Sequence, residues 1–355
     1  MFCLCKHHTR CPMQHQILTS KPLLDENGHL TEPGYATSLL PIYDRAAIKA
    51  NRWRIKEWDY YYIGNDDYGV ALTIADNSYM GLDSISLLDF RTPWEQTTSQ
   101  MSWLTDGKVG FPATSVKGDV FHSSKKHAMY FRNDGETRVL EFSMDNFCDG
   151  KPIKGRIELA NPKGDSMVIA TPFAGHPKHF YYNQKINCLP AKGVVEFNGV
   201  EYVFEPETAF GVLDWGRGVW TYKNTWYWGS ASGMVDGVPF GFNIGYGFGD
   251  TSAATENMLF YNHKAHKLED VTFHIPMGEK EEDFLAPWKF TSSDGRFEMD
   301  FEPIIDRHAD TNVGVIRSNQ HQVFGKFNGK AVLDDGTVLE VKDLLGFAEK
   351  VFNKW

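Results

Sequence analysis

An aspartate and an arginine three residues apart, Asp214 and Arg217, open a stretch of unusual composition, FGVLDWGRGVWTYKNTWYWGSASG (210–233). It also holds Trp215, Trp220, Trp226, Trp228, Tyr222 and Tyr227. A carboxyl among aromatic rings loses solvation, which disfavours its charged form and lets it act as a proton donor near neutral pH. The same rings present π-faces that stabilise a cation. Arg217 then has two readings. It either locks Asp214 in a buried ion pair, or it orients Asp214 or a polar end of a ligand. Strand parity puts the two on opposite faces, which favours an uncapped Asp214 and a neutral effect of Asp214→Asn on stability.

A second carboxyl lies 42 positions on. ATENMLFYNHK brings Glu256 and Asn257 to the start of a strand, where Glu256 is a candidate base for activating water. Just before it, PFGFNIGYGFGD places Phe240, Phe242, Ile244, Tyr246 and Phe248 on one face and Gly241, Asn243, Gly245 and Gly247 on the other. Glycine at alternate strand positions lets another group approach the backbone closely. No helix follows, so this is not a dinucleotide loop. Trp215, Trp220, Tyr222, Trp226, Trp228, Asn243, Tyr246 and Asn257 are the candidate binding residues. The pairs His176/His179 and His263/His266 read as turn residues, and no metal or cofactor is expected.

These side chains need strands to hold them. If 219–229 is one strand, Trp220, Tyr222, Asn224, Trp226 and Trp228 share a face; if TYKNT is instead a turn, its two arms can still place Trp220 and Trp226 on the same side, depending on register. Period-two runs bounded by Gly, Pro, Asn or Asp recur along the chain, among them DYGVALTIAD, SMVIATPF, GVVEFNGVEYVFEP and KAVLDDGTVLEV. Asn198-Gly199, Asp236-Gly237 and Asp335-Gly336 mark hairpins. In RWRIKEWDYYYIG, Trp53, Ile55, Glu57, Asp59 and Tyr61 alternate with Arg54, Lys56, Trp58, Tyr60 and Tyr62, so charged groups fall on both faces. Many strands without intervening helices predict an all-β chain of antiparallel barrels or sandwiches. YDRAAIKA predicts two helical turns near residue 45. VKDLLGFAEKVFNKW aligns Leu344, Leu345, Phe347, Ala348, Val351 and Phe352 on one stripe and predicts a C-terminal helix. Pro and Gly near 187–193 suggest a division into domains at 16–190 and 191–355, after an extended tail at 1–15. That tail carries Cys3, Cys5 and Cys11 of the five cysteines, lacks an apolar period, and offers a second start at Met13.

The formal net charge is −10 with acidic residues dispersed, which argues against a nucleic-acid partner. No apolar run approaches the roughly 18 residues of a membrane helix, and no secretory signal is evident. A cytoplasmic protein with a hydrophobic small molecule as partner is the expectation.

The phrases RIKEWDYYYI, LTIADNSYMG, LDWGRGVWTYKNTWYWGSASG and HKLEDVTFHIP resemble the domain-of-unknown-function family numbered twenty-eight hundred four, over about Gln16 to Trp355. The span FYYNQKINCLPAKGVVEFNGVEYVFEPETAFGVLDWGRG is similar to the carotenoid hydratase-like and AttH-like lipocalin-related proteins. That resemblance implies two lipocalin-like (calycin-type) β-barrels. It also implies a greasy pocket between or within them, and cofactor-independent hydratase, isomerase or cyclase chemistry on an isoprenoid- or polyketide-like substrate. Asp214 matches the Asp of that group and Trp215-Gly216 its Trp-Gly, although the group separates the two by two residues and here they adjoin. Asp214 is then the acid, Arg217 its orienting partner and Glu256 the base. The alternative is a non-catalytic carrier of a hydrophobic molecule.

Overall fold

The computed structural model describes residues 14–313 and 316–354. The expected tail therefore lies almost wholly outside the described residues. At its end, the Gln14 side chain accepts from Thr255 and donates to the Leu268 carbonyl.

Short alternating segments with turn residues between them pair with their sequence neighbours, and the result is two large antiparallel sheets, each curled into a half-barrel. The first has Ile55–Gly64, Phe210–Val219 and His176–Phe197 side by side at its centre. On one flank lie Tyr68–Asp76, Met80–Asp89 and Trp94–Trp103; on the other lie Lys151–Ala160, Thr137–Cys148, His127–Asn133 and Val120–Ser123. The second sheet centres on Lys223–Val235, Val338–Lys354 and Ile316–Val332. Residue 190 falls inside the continuous strand His176–Phe197, and the chain passes from one sheet to the other between Val219 and Lys223. Two turns form as read: Asn198-Gly199 and Asp236-Gly237 both take positive φ at both central residues, the geometry that matches strand twist.

Each half-barrel encloses its own apolar core. Leu213, Trp215, Tyr61, Tyr182 and Phe180 belong to the first, and Phe242, Phe290, Phe301, Phe327 and Ala348 to the second. Between the sheets lie two more clusters. One joins Tyr60, Tyr62, Val212, Trp228, Phe324 and Phe347; the other joins Tyr181, Trp220, Phe248, Met258 and Phe260. The central strands are thus buried on both faces, which explains the mixed patterns of RWRIKEWDYYYIG and its neighbours.

Double burial also corrects the C-terminal expectation. Residues 338–354 form a 17-residue strand, and among the described residues there is no α-helix. Leu344 and Ala348 face the second core, while Leu345 and Phe347 face the first sheet. An apolar run buried on two sides mimics a helical stripe, because periodicity alone cannot separate the two. Near residue 45 the chain makes two single 3-10 turns, Arg45–Ala47 and Arg52–Arg54, capped by the side chains of Asp44 and Asn51.

Candidate active site between the sheets

Cross-strand register builds the site. In the first sheet Lys185, Asp214 and Tyr60 stand in one row across three neighbouring strands. In the second sheet Trp228, Glu349 and Gln322 form the matching row. The rows meet face to face. The Lys185 ammonium sits 4.1 Å from the Trp228 ring centroid, Tyr60 packs edge-on to Trp228, and the Tyr60 hydroxyl donates to Gln322 at 3.4 Å.

Lys185 Nζ lies 3.1 Å from Asp214 Oδ1 and 3.9 Å from Glu256 Oε2. The same Asp214 oxygen accepts from Asn183 Nδ2 at 2.5 Å, and that amide also donates to the Trp215 carbonyl. Asn183 Oδ1 is buried without a hydrogen-bond partner. Glu256 is held by Asn243, whose Nδ2 donates to the Glu256 backbone carbonyl and, at 3.3 Å, to its carboxyl. Asn243 Oδ1 in turn accepts from Trp228 Nε1 at 2.7 Å. The alternate glycines make room: a Cβ at Gly245 would stand 2.7 Å from Glu256 Oε1. Glu349 accepts from Trp226 Nε1 at 2.9 Å and from Gln322 Nε2 at 3.0 Å.

Burial dominates the electrostatics. It raises Glu349 to about 7, against the opposing hydrogen bond from Trp226 and the attraction of Arg307. It also raises Glu256, with Lys185 and the Asn243 hydrogen bond pulling the other way. The Tyr60 hydroxyl is pushed up to about 12, chiefly by burial. A buried carboxyl raised as Glu349 is exchanges a proton near neutral pH, which is the requirement for acid–base work.

One step along the strands, beyond Tyr62 and Phe347, lies a cleft. It measures about 290 Å³ and is lined by Tyr62, Val212, Ser230 and Phe347, among others. Each of these lies two residues from a member of the facing rows, on the same strand: Tyr60, Asp214, Trp228 and Glu349. Two residues along a strand is about 7 Å. On the opposite side the cluster is closed by an aromatic floor in which Trp58, Tyr181, Trp220, Trp226 and Phe248 pack edge-on or stacked. Gly216 is required there, because any Cβ would collide with the Trp58 ring.

Of the residues singled out in the sequence, Asp214, Glu256, Asn243, Trp226 and Trp228 come together, and Trp220 joins the floor. The others do not. Residues 220–222 form the turn between two strands, so Tyr222 leaves the stripe and is 42 % exposed. Tyr246 stacks on Tyr227 on the second-core face. Asn257 pins a hairpin, accepting from Gly245 N and donating to the Glu269 carbonyl.

Arg217 and Trp215 point into the first half-barrel, away from Asp214. There Arg217 Nη1 donates to Asp59 at 3.1 Å and to the Trp58 and Gly216 carbonyls, and Nη2 donates to the Pro112 carbonyl. Its guanidinium lies 4.2 Å from the Trp215 ring centroid. Glu57 accepts there from Tyr43 and from Arg45.

Lys185, Asn183, Tyr60, Gln322 and Glu349 were not read from the sequence. YYNQK did carry a signal, since Tyr181, Asn183 and Lys185 share a face at period two while flanked by core residues. Glu349 was hidden by the helical reading of its strand.

Two solved structures above a TM-score of 0.5 show the same fold. CghA with Sch210972 superposes at a TM-score of 0.55 and 12% identity, covering 95% of this chain and 97% of that one. A putative AttH protein from Nitrosomonas europaea gives 0.52 and 12%, covering 88% and 98%. Kievitone hydratase from Nectria haematococca gives 0.49 and 12%, covering 94% and 98%. No curated protein matches the chain by sequence. The model of one family, described as a domain of unknown function (DUF2804), matches residues 14–355, and the chain belongs to that family.

Proposed function

We propose that the inter-sheet cleft takes a hydrophobic small molecule and that the buried carboxyls beside it move a proton on it, in a reaction of the hydratase, isomerase or cyclase type. The observation that carries this reading is the register. Four strands each place a cleft-lining residue and, two positions on, a member of the polar cluster.

Glu349 is the proton donor, because its carboxyl is poised near neutral pH between Trp226 and Gln322. In a hydration, it protonates one carbon of a double bond and water adds to the other. Glu256, beside Lys185, accepts the proton that the water loses. Asp214 is a positioning residue. It anchors Lys185, whose ammonium lies 3.1 Å from its carboxylate.

The test starts by capturing a ligand from a metabolite extract on purified protein and following it by mass spectrometry. Wild type should convert the captured compound, and Glu349→Gln should bind it but slow conversion by roughly 10²-fold or more. Met234→Trp, which fills the rim of the cleft, should prevent capture. Binding without any conversion by wild type would replace the enzyme with a carrier.

A further inference from the structure

A second set of ligand-forming side chains converges away from the cleft, inside the mouth of the first half-barrel. Asp83 belongs to Met80–Asp89, near one end of the first sheet; His122 and His127 belong to Val120–Ser123 and His127–Asn133, at the other end. Pairing runs from one end of this sheet to the other and, among the described residues, does not join them. The barrel is closed at this seam by side chains instead. Thr98 Oγ1 donates to the Phe147 carbonyl at 2.6 Å, and both imidazoles aim at a single oxygen, Asp83 Oδ2.

We propose that Asp83, His122 and His127 bind one divalent transition-metal ion, of the zinc type, that fastens the two ends of the first sheet. Three features carry the assignment. Asp83 Oδ2, His122 Nδ1 and His127 Nε2 all lie within 4.8 Å of one another, and a tetrahedral ion with bonds of about 2.1 Å sets its ligands about 3.4 Å apart. Asp83 and His127 are almost fully buried while His122 is 30% exposed, so an ion has a path in and a water has a fourth position.

The third feature is the outer partner of His127. Its Nδ1 lies 2.8 Å from Ser124 Oγ. The hydroxyl accepts from Nδ1–H when Nε2 ligates, which fixes the tautomer as outer partners of metal-bound histidines do. Binding replaces the two imidazole contacts to Asp83 with metal bonds, each neutral imidazole carrying its N–H on the nitrogen away from the ion. Two histidines and a carboxylate suit zinc or iron(II) better than calcium or magnesium, which prefer all-oxygen sets. The ligands come from positions 83, 122 and 127, a spacing that matches no short motif, so the sequence alone did not suggest it.

The test uses the full chain, stripped of metal and titrated with cobalt(II), then zinc. One cobalt per chain should bind with visible d–d absorption and no thiolate charge-transfer band, and one zinc should displace it. The absence of that band separates this site from the cysteines near the N-terminus. Zinc should raise the thermal midpoint. Ser124→Ala keeps all three ligands and should weaken cobalt roughly 10–100-fold. His122→Ala and Asp83→Asn should weaken it at least as much. Equal uptake by wild type and all three variants, a thiolate band that accounts for the uptake, or no uptake by wild type would overturn the assignment.

Discussion

The strand Phe210–Val219 carries a charged group on each face, and the two faces differ in how the charges are met. Inside the first half-barrel, Arg217 meets Asp59 and three backbone carbonyls, and Glu57 meets Tyr43 and Arg45. Both Nη atoms of Arg217 are hydrogen-bonded there while its Nε is not, and the cluster serves to tie strands together. Between the sheets, Lys185 faces both Asp214 and Glu256, and Glu349 is held by neutral donors alone. Carboxyls outnumber ammonium groups within reach of Lys185, and burial keeps them from shedding the imbalance into solvent. A proton is one way to balance such a site, and burial raises both Glu256 and Glu349. On the other face burial raises Asp59 too, against the direct pairing of Arg217. The same strand thus separates a structural polar cluster from one suited to proton transfer.

That contrast breaks most visibly at Arg217. Arg217→Met leaves Asp59 buried and unpaired, and should cost about 3–5 kcal/mol in denaturant unfolding. A cost below about 1 kcal/mol would remove the inner cluster as a structural element.

Glu349→Gln should sharpen the contrast through pH. The folded carboxyl is raised from 4.5 to about 7, so its protonated form is favoured in the folded state. Its contribution to stability is fully present below about pH 4.5 and is lost as pH rises through about 7. The loss amounts to about 3 kcal/mol, and Glu349→Gln should not show it. Unfolding curves from pH 5 to 8 for both proteins check this. Parallel curves would place Glu349 among ordinary carboxyls.

Asp214→Asn should cost about 1–3 kcal/mol, because the Lys185 ammonium loses its nearest partner. Strand parity alone predicted a neutral substitution, and unchanged stability would restore that view. Tyr222→Ala should leave ligand capture unchanged within about 0.5 kcal/mol, since the ring lies on a turn outside the cluster.

These outcomes follow the line between what was legible in the chain and what was not. Period two and turn chemistry revealed the strands, the hairpins at Asn198-Gly199 and Asp236-Gly237, and the opposed faces of 55–62 and 240–246, whereas Trp53 and Arg54 lie in a 3-10 turn and Phe248, past the strand end, packs between the sheets. The close approach implied by alternate glycines proved to be the Glu256 carboxyl at Gly245. Local pattern failed where long-range pairing decides. Lys185 faces Asp214 only because two strands of distant sequence pair in that register. Glu349 reaches the same space from the last strand, whose burial on two faces disguised it as a helix. Tyr222 is misplaced by the single-strand reading and not by the turn reading of TYKNT, between which local pattern does not decide.

The central claim, that the inter-sheet cluster holds a carboxyl which changes charge near neutral pH, is tested most directly by infrared difference spectroscopy of the folded protein across pH 5–9. The protonated carbonyl band of a buried carboxylic acid should titrate with a midpoint near pH 7 and be missing from Glu349→Gln. A band that vanishes below pH 5, or one that survives the substitution unchanged, would contradict the account.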